Sequence, residues 1–98
     1  MATTIVTFCS VGIMKFSSTL PIPDGESAVS ETITPSASNQ QSAAATKEFC
    51  VIGTDTAIYV GFGSNPDATS DAAVFMIPAN GVMAFQIEVG NKVSVVAV

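Results

Sequence analysis

The sequence has no histidine, no arginine and no tryptophan, and its three lysines stand against eight carboxylates. Without histidine the chain lacks the commonest general base and the commonest transition-metal ligand, which excludes Ser-His-Asp and Cys-His catalysis and most zinc sites. No catalytic residue, cofactor site or metal site is assigned, and an enzyme is not expected. The formal net charge of -5 opposes any surface built to meet phosphates, so nucleic acid is not an expected partner.

Long hydrophobic runs are missing as well. A membrane-spanning helix needs roughly 18 apolar residues, and the longest candidate, residues 5–16, is interrupted by Thr7, Ser10, Gly12 and Lys15. No positive charge precedes that stretch, as a secretory signal would require, so the start reads as mature structure. Cysteine is scarce. Cys9 and Cys50 form an even pair that permits a disulfide, yet two cysteines with no other disulfide-scaffold features read as buried, reduced thiols, in keeping with synthesis in a cytoplasm.

The scarcest feature is charge. Only 11% of residues are charged, against about 25% in typical domains, while 48% are hydrophobic. A domain of 98 residues has one modest core. With so little charge to cover its exterior, it is expected to hide part of that exterior against copies of itself or a partner. A homo-oligomer, with a trimer as the favoured form, is the expectation.

What is present is β-forming sequence. Segments rich in Val, Ile, Thr, Phe and Tyr recur at 3–9, 11–16, 30–34, 48–52, 57–62, 73–77, 82–89 and 92–98, bounded by Gly, Pro, Asn or Asp. In 82–89, Met83, Phe85, Ile87 and Val89 alternate with Ala84, Gln86 and Glu88, the period of a half-buried strand. The Asn80-Gly81 and Gly90-Asn91 pairs predict tight turns joining 73–77, 82–89 and 92–98 into a three-stranded meander. Gly53-Thr54-Asp55-Thr56 predicts a further hairpin, with Phe49 and Val51, or Ile58, Val60 and Phe62, facing the core. Residues 35–46 lack apolar periodicity and read either as a long surface loop or as an edge strand lying along a partner. The expected fold is all-β: an antiparallel β-sandwich or jelly-roll-like barrel of about seven to eight strands.

Two weak chemical motifs have simpler explanations. Asp55, Asp67 and Asp71 could gather at one end to hold calcium, but their spacing matches no calcium loop, and turn and surface roles account for them. The glycine-rich run Gly61-Phe62-Gly63-Ser64-Asn65 has no Walker lysine and no following helix, so it reads as a bulge and turn.

One resemblance covers residues 32–98. After a polar lead-in from Ser36 to Ala43 come Phe49-Cys50-Val51, then Ile58-Tyr59-Val60-Gly61-Phe62-Gly63 running into Asn65-Pro66-Asp67-Ala68-Thr69, then Ile77-Pro78-Ala79 and Val89-Gly90-Asn91-Lys92-Val93. This order resembles small tailed-phage virion proteins encoded among head and neck genes. The resemblance implies a capsid decoration, cement or fibre-base role on the exterior of the head, with the major capsid protein or another virion protein as partner and no catalytic motif. A tail, fibre or head–tail connector subunit, or a non-catalytic ligand-binding β-sandwich, are the alternatives.

Residues 1–28 fall outside that pattern. They are expected to be an N-terminal arm or additional strands, beside a β-domain over 29–98. The stiff Leu20-Pro21-Ile22-Pro23 lead and the apolar residues Ile5, Val6, Phe8, Val11, Ile13 and Phe16 suit strand addition to a partner, which makes those six the candidate partner-binding residues. The alternative is that these strands complete the domain's own sheet.

Overall fold

The computed structural model describes residues 2–13, 21–23, 27–70 and 74–98, and for 11–13 and 21–23 the backbone alone. In chain order the strands are β1 (Thr4–Cys9), β2 (Val11–Ile13), β3 (Pro21–Pro23), β4 (Val29–Ile33), β5 (Gln40–Gln41), β6 (Phe49–Thr54), β7 (Ile58–Gly63), β8 (Phe75–Ile77), β9 (Val82–Gln86) and β10 (Lys92–Ala97). Eight of them form two antiparallel four-stranded sheets, ordered β4-β1-β6-β9 and β5-β10-β7-β8, and β2 pairs with β3 in a short ribbon. The fold is a β-sandwich.

Its connectivity is that of a rolled long hairpin. The pairs β1·β4, β5·β10, β6·β9 and β7·β8 are the successive rungs of that hairpin, and β1·β6 and β7·β10 are the contacts made when it curls. This is the jelly-roll arrangement, entered at β1, the strand that would otherwise close the roll. Both ends of the roll meet one loop. Thr3 N–H donates to Asp55 Oδ1 at 2.8 Å, and Val98 N–H donates to the Ala57 carbonyl at 3.2 Å.

Alternation sets the core. Val6 and Phe8 from β1, Cys50 and Ile52 from β6, Ile58 and Val60 from β7, and Val93 and Val95 from β10 point between the sheets and are buried, with Ile33, Ile77 and Ile87 beside them. At one end a polar chain finishes this core. Buried Thr4 donates from Oγ1 to Thr54 Oγ1 at 3.1 Å, and Thr54 donates onward to the Thr56 carbonyl at 2.6 Å, so neither hydroxyl is left unpaired.

Several pairings differ from the expected ones. Asn80 does adopt a left-handed φ of 61°, and Gly90 a φ of 96°, as the turn sequences require. Yet β8 pairs with β7, β9 with β6 and β10 with β7, so neither turn closes a hairpin and the meander is absent. The 53–56 hairpin is absent too, because β6 and β7 lie in different sheets. Turn chemistry encodes a local reversal of the chain, and a reversal can cross the roughly 10 Å between sheets as easily as it can return along one sheet. On β6 the inward residues are Cys50, Ile52 and Thr54, while Phe49 and Val51 face outward. A strand apolar on both faces leaves its phase to be set by register, here Val6 opposite Ile52 and Phe8 opposite Cys50.

Residues 36–45 lie along β10 of the same chain. Beyond β5, Ser42 N–H donates to the Val93 carbonyl at 2.8 Å and Ala45 N–H to the Asn91 carbonyl at 2.7 Å, and Ser42 Oγ accepts the Val93 N–H at 2.9 Å. The polar side chains there pin the loop after β7. Asn39 donates to the Pro66 carbonyl and accepts Ala68 N–H, both at 3.1 Å, and Gln41 donates to Asn65 and to the Pro66 carbonyl at 2.9 Å.

Candidate functional site

The β1 residues proposed from sequence as partner contacts divide by face. Val6 and Phe8 are in the core, which corrects their assignment: β1 is an inner strand flanked by β4 and β6, so half of its apolar side chains must be buried by its own sheets. Ile5 points the other way and is 47% exposed. Val11 and Ile13 lie in the β2–β3 ribbon, and Phe16 lies outside the described residues.

Ile5 belongs to a larger surface, the outer face of the β4-β1-β6-β9 sheet. The registers place Thr32, Ile5, Gly53 and Val82 in one row across the four strands, Ser30, Thr7, Val51 and Ala84 in the next, and Cys9, itself buried, with Phe49 and Gln86 in a third. These rows contain no carboxylate and no ammonium group. Val82 is 69% exposed, and Thr7 and Ser30 share a hydroxyl hydrogen bond of 2.8 Å across the strands. Ionised side chains sit around this face: Lys47 and Glu48 precede β6, Asp55 follows it, and Glu88 follows β9.

At the Asp55 end of the face a cavity of about 330 Å³ opens between Thr3, Ile5, Asp55, Asn80 and Val82. Its one carboxylate is already engaged by the Thr3 N–H. Asp67 belongs to the loop after β7, where its Oδ1 accepts both the hydroxyl and the backbone N–H of Thr69; these bonds hold its carboxyl below the ordinary range. Asp71 lies outside the described residues. Among the described residues no group of three or more His, Cys, Asp or Glu side chains comes together.

Neither Cys9 nor Cys50 is in a disulfide, and both are buried. Phe8 is opposite Cys50 and Cys9 is opposite Phe49, so the cysteines occupy neighbouring strands but opposite faces of the sheet. Burial, with a smaller contribution from nearby Cys9, pushes the Cys50 thiol up to about 12, which keeps it protonated and unreactive.

Sequence reasoning missed the outer-face residues Phe49, Val51, Val82 and Ala84. The available signal was the run Val82-Met83-Ala84-Phe85-Gln86, which carries no charge although one of its faces meets solvent. Comparison with protein-family models, curated proteins and solved structures finds no match to this chain.

Proposed function

We propose that this chain is a structural virion protein that decorates or cements a phage capsid, acting by self-association and by contacts with the shell rather than by chemistry. The observation that supports this reading most is the uncharged outer face of the β4-β1-β6-β9 sheet, with Ile5 and Val82 exposed on it. Such a surface lowers its free energy when covered. Copies with a net charge of -5 repel one another over much of their exterior and approach with least repulsion here. The jelly roll is used in viral capsid domains and in lectin domains alike, so the fold is compatible with this role without deciding it. The resemblance of residues 32–98 to tailed-phage virion proteins directs the reading to a capsid exterior, with the major capsid protein or another virion protein as partner.

One observation favours a second reading, a non-catalytic ligand-binding sandwich. The cavity beside Asp55 falls within the roughly 300–1,000 Å³ of small-molecule sites, although no aromatic ring lines it for stacking. The deciding experiment compares phage particles made with and without the gene, using quantitative mass spectrometry for copy number and electron cryomicroscopy for position. Many copies on the head exterior are expected. A few copies at one vertex or on the tail would make it a connector, tail or fibre subunit, and absence from particles would overturn the proposal.

A further inference from the structure

The two sides of the sandwich are finished differently. On one side the edges are β4 and β5, and β4 turns Glu31 inward, in register with buried Val6; its Oε1 accepts the Ala43 N–H at 2.9 Å. An inward-pointing charge on an edge strand blocks pairing with another chain. On the other side the edges are β8 and β9, whose residues Phe75-Met76-Ile77 and Val82-Met83-Ala84-Phe85-Gln86 include no charge and no proline. Phe75 is in register with buried Val60, so it points between the sheets, yet it is 52% exposed. Its ring leans on Phe85 with centroids 5.2 Å apart, and Phe85 leans on Phe62 at 4.8 Å. Among the described residues nothing covers the core along this side.

The β9 backbone is open there too. Ile87 N–H donates to the Glu48 carbonyl and Thr54 N–H to the Gly81 carbonyl, which fixes the odd-numbered β9 residues as those bonded to β6. Because bonded pairs alternate in an antiparallel ladder, Val82, Ala84 and Gln86 direct their N–H and C=O groups away from β6. Among the described residues no strand meets them.

We infer that the open edge of β9 docks the β9 of a second copy of this chain, antiparallel about a twofold axis at Ala84, joining two β4-β1-β6-β9 sheets into one. Ala84 is the middle residue of β9, so this register pairs the whole strand and forms about six backbone hydrogen bonds. It places Val82 opposite the second copy's Gln86 and Glu88 opposite the second copy's Asn80, and no carboxylate faces another. Inside, Met83 of one copy lies beside Phe85 of the other, which extends the aromatic cluster across the axis and covers the open rim. Such an interface is isologous and closes as a pair, in place of the trimer expected from charge content. An edge contact falls below the roughly 1,200 Å² of standard interfaces, so the pairing is concentration-dependent.

This inference rests on the self-association part of the function proposed above, and its test uses purified protein without capsids, so the two fail separately. Sedimentation equilibrium from micromolar to millimolar concentration is expected to show a monomer–dimer equilibrium. Ala84→Glu should weaken it at least about tenfold while leaving the thermal melt unchanged, because Ala84 is exposed in the monomer. Bonded antiparallel pairs have Cα atoms about 5.5 Å apart, within disulfide reach, so Ala84→Cys should oxidise to a covalent dimer. Thr32→Cys, on the opposite edge strand, should not, and the native thiols are buried. A wild-type monomer at millimolar concentration, an Ala84→Glu protein that associates like wild type, or Ala84→Cys crosslinking no faster than Thr32→Cys would each overturn the inference.

Discussion

Deleting residues 1–9 tests whether β1 is structural or an attachment arm. β1 lies between β4 and β6, and β4 has no other partner among the described strands, so losing β1 also releases β4. The core cluster then loses Val6, Phe8 and Ile33, and the inner face of Cys50 and Ile52 is exposed. At about 1.5–3 kcal/mol for each buried large side chain, the three account for roughly 5–9 kcal/mol. A chain of this size has about 5–15 kcal/mol of total stability, so the truncated protein is expected to have no cooperative thermal transition by circular dichroism. Two point variants resolve the faces of β1 within the full chain. Phe8→Ala should cost about 3–5 kcal/mol in denaturant unfolding, whereas Ile5→Ala, on the exposed face, should cost about 0.5 kcal/mol. A truncated protein that melts cooperatively near the full-length temperature, or Ile5→Ala as damaging as Phe8→Ala, would refute an inner β1.

Three further outcomes follow from the same packing. The Cys50 thiol is raised from 9.0 to about 12 in the folded chain, so the native state holds a proton that the unfolded state releases above pH 9; stability should fall between about pH 9 and pH 12, and Cys50→Ala should flatten that slope in denaturant titrations. Gly61→Ala would place a Cβ 2.9 Å from Ser94 Oγ and should destabilise by about 1–3 kcal/mol, while Ser94→Ala, which removes a buried hydroxyl with no partner among the described residues, should be near neutral alone and restore part of the loss in the double variant. A circular permutant that links residue 98 to residue 2 through a short Gly-Ser segment and opens the chain between Asn80 and Gly81 should fold with a similar melt, because Thr3 and Val98 are both bonded to the 55–57 loop.

Strands were legible in this sequence, whereas their partners were not. Val82–Gln86 announces itself by alternation, and Ile58–Gly63 by its aromatic and β-branched residues, since these patterns are properties of one strand. Pairing depends on which sheet a turn delivers the chain to, and Asn80 would take the same left-handed conformation in either case. The same limit hid the candidate surface. Ile5 and Val6 are both apolar neighbours on one strand, and only the register opposite Gly53 and Ile52 decides that one faces outward and the other the core. The polar stretch 36–45 resisted reading because its role is to hydrogen-bond: Asn39, Gln41 and Ser42 tie a loop and a strand together without any apolar period.

The low charge content has a location that gives it meaning. Of the ionised residues described, Lys47, Glu48, Asp55, Asp67 and Glu88 lie in loops, and only Glu31 and Lys92 lie within strands, one turned inward and the other at the first position of β10. Carboxylates at strand ends make copies repel most when they approach end to end. Side by side, through the outer sheet face or the β9 edge, they meet apolar and hydroxyl groups and unpaired backbone, where contact removes apolar surface from water and adds hydrogen bonds without opposing like charges.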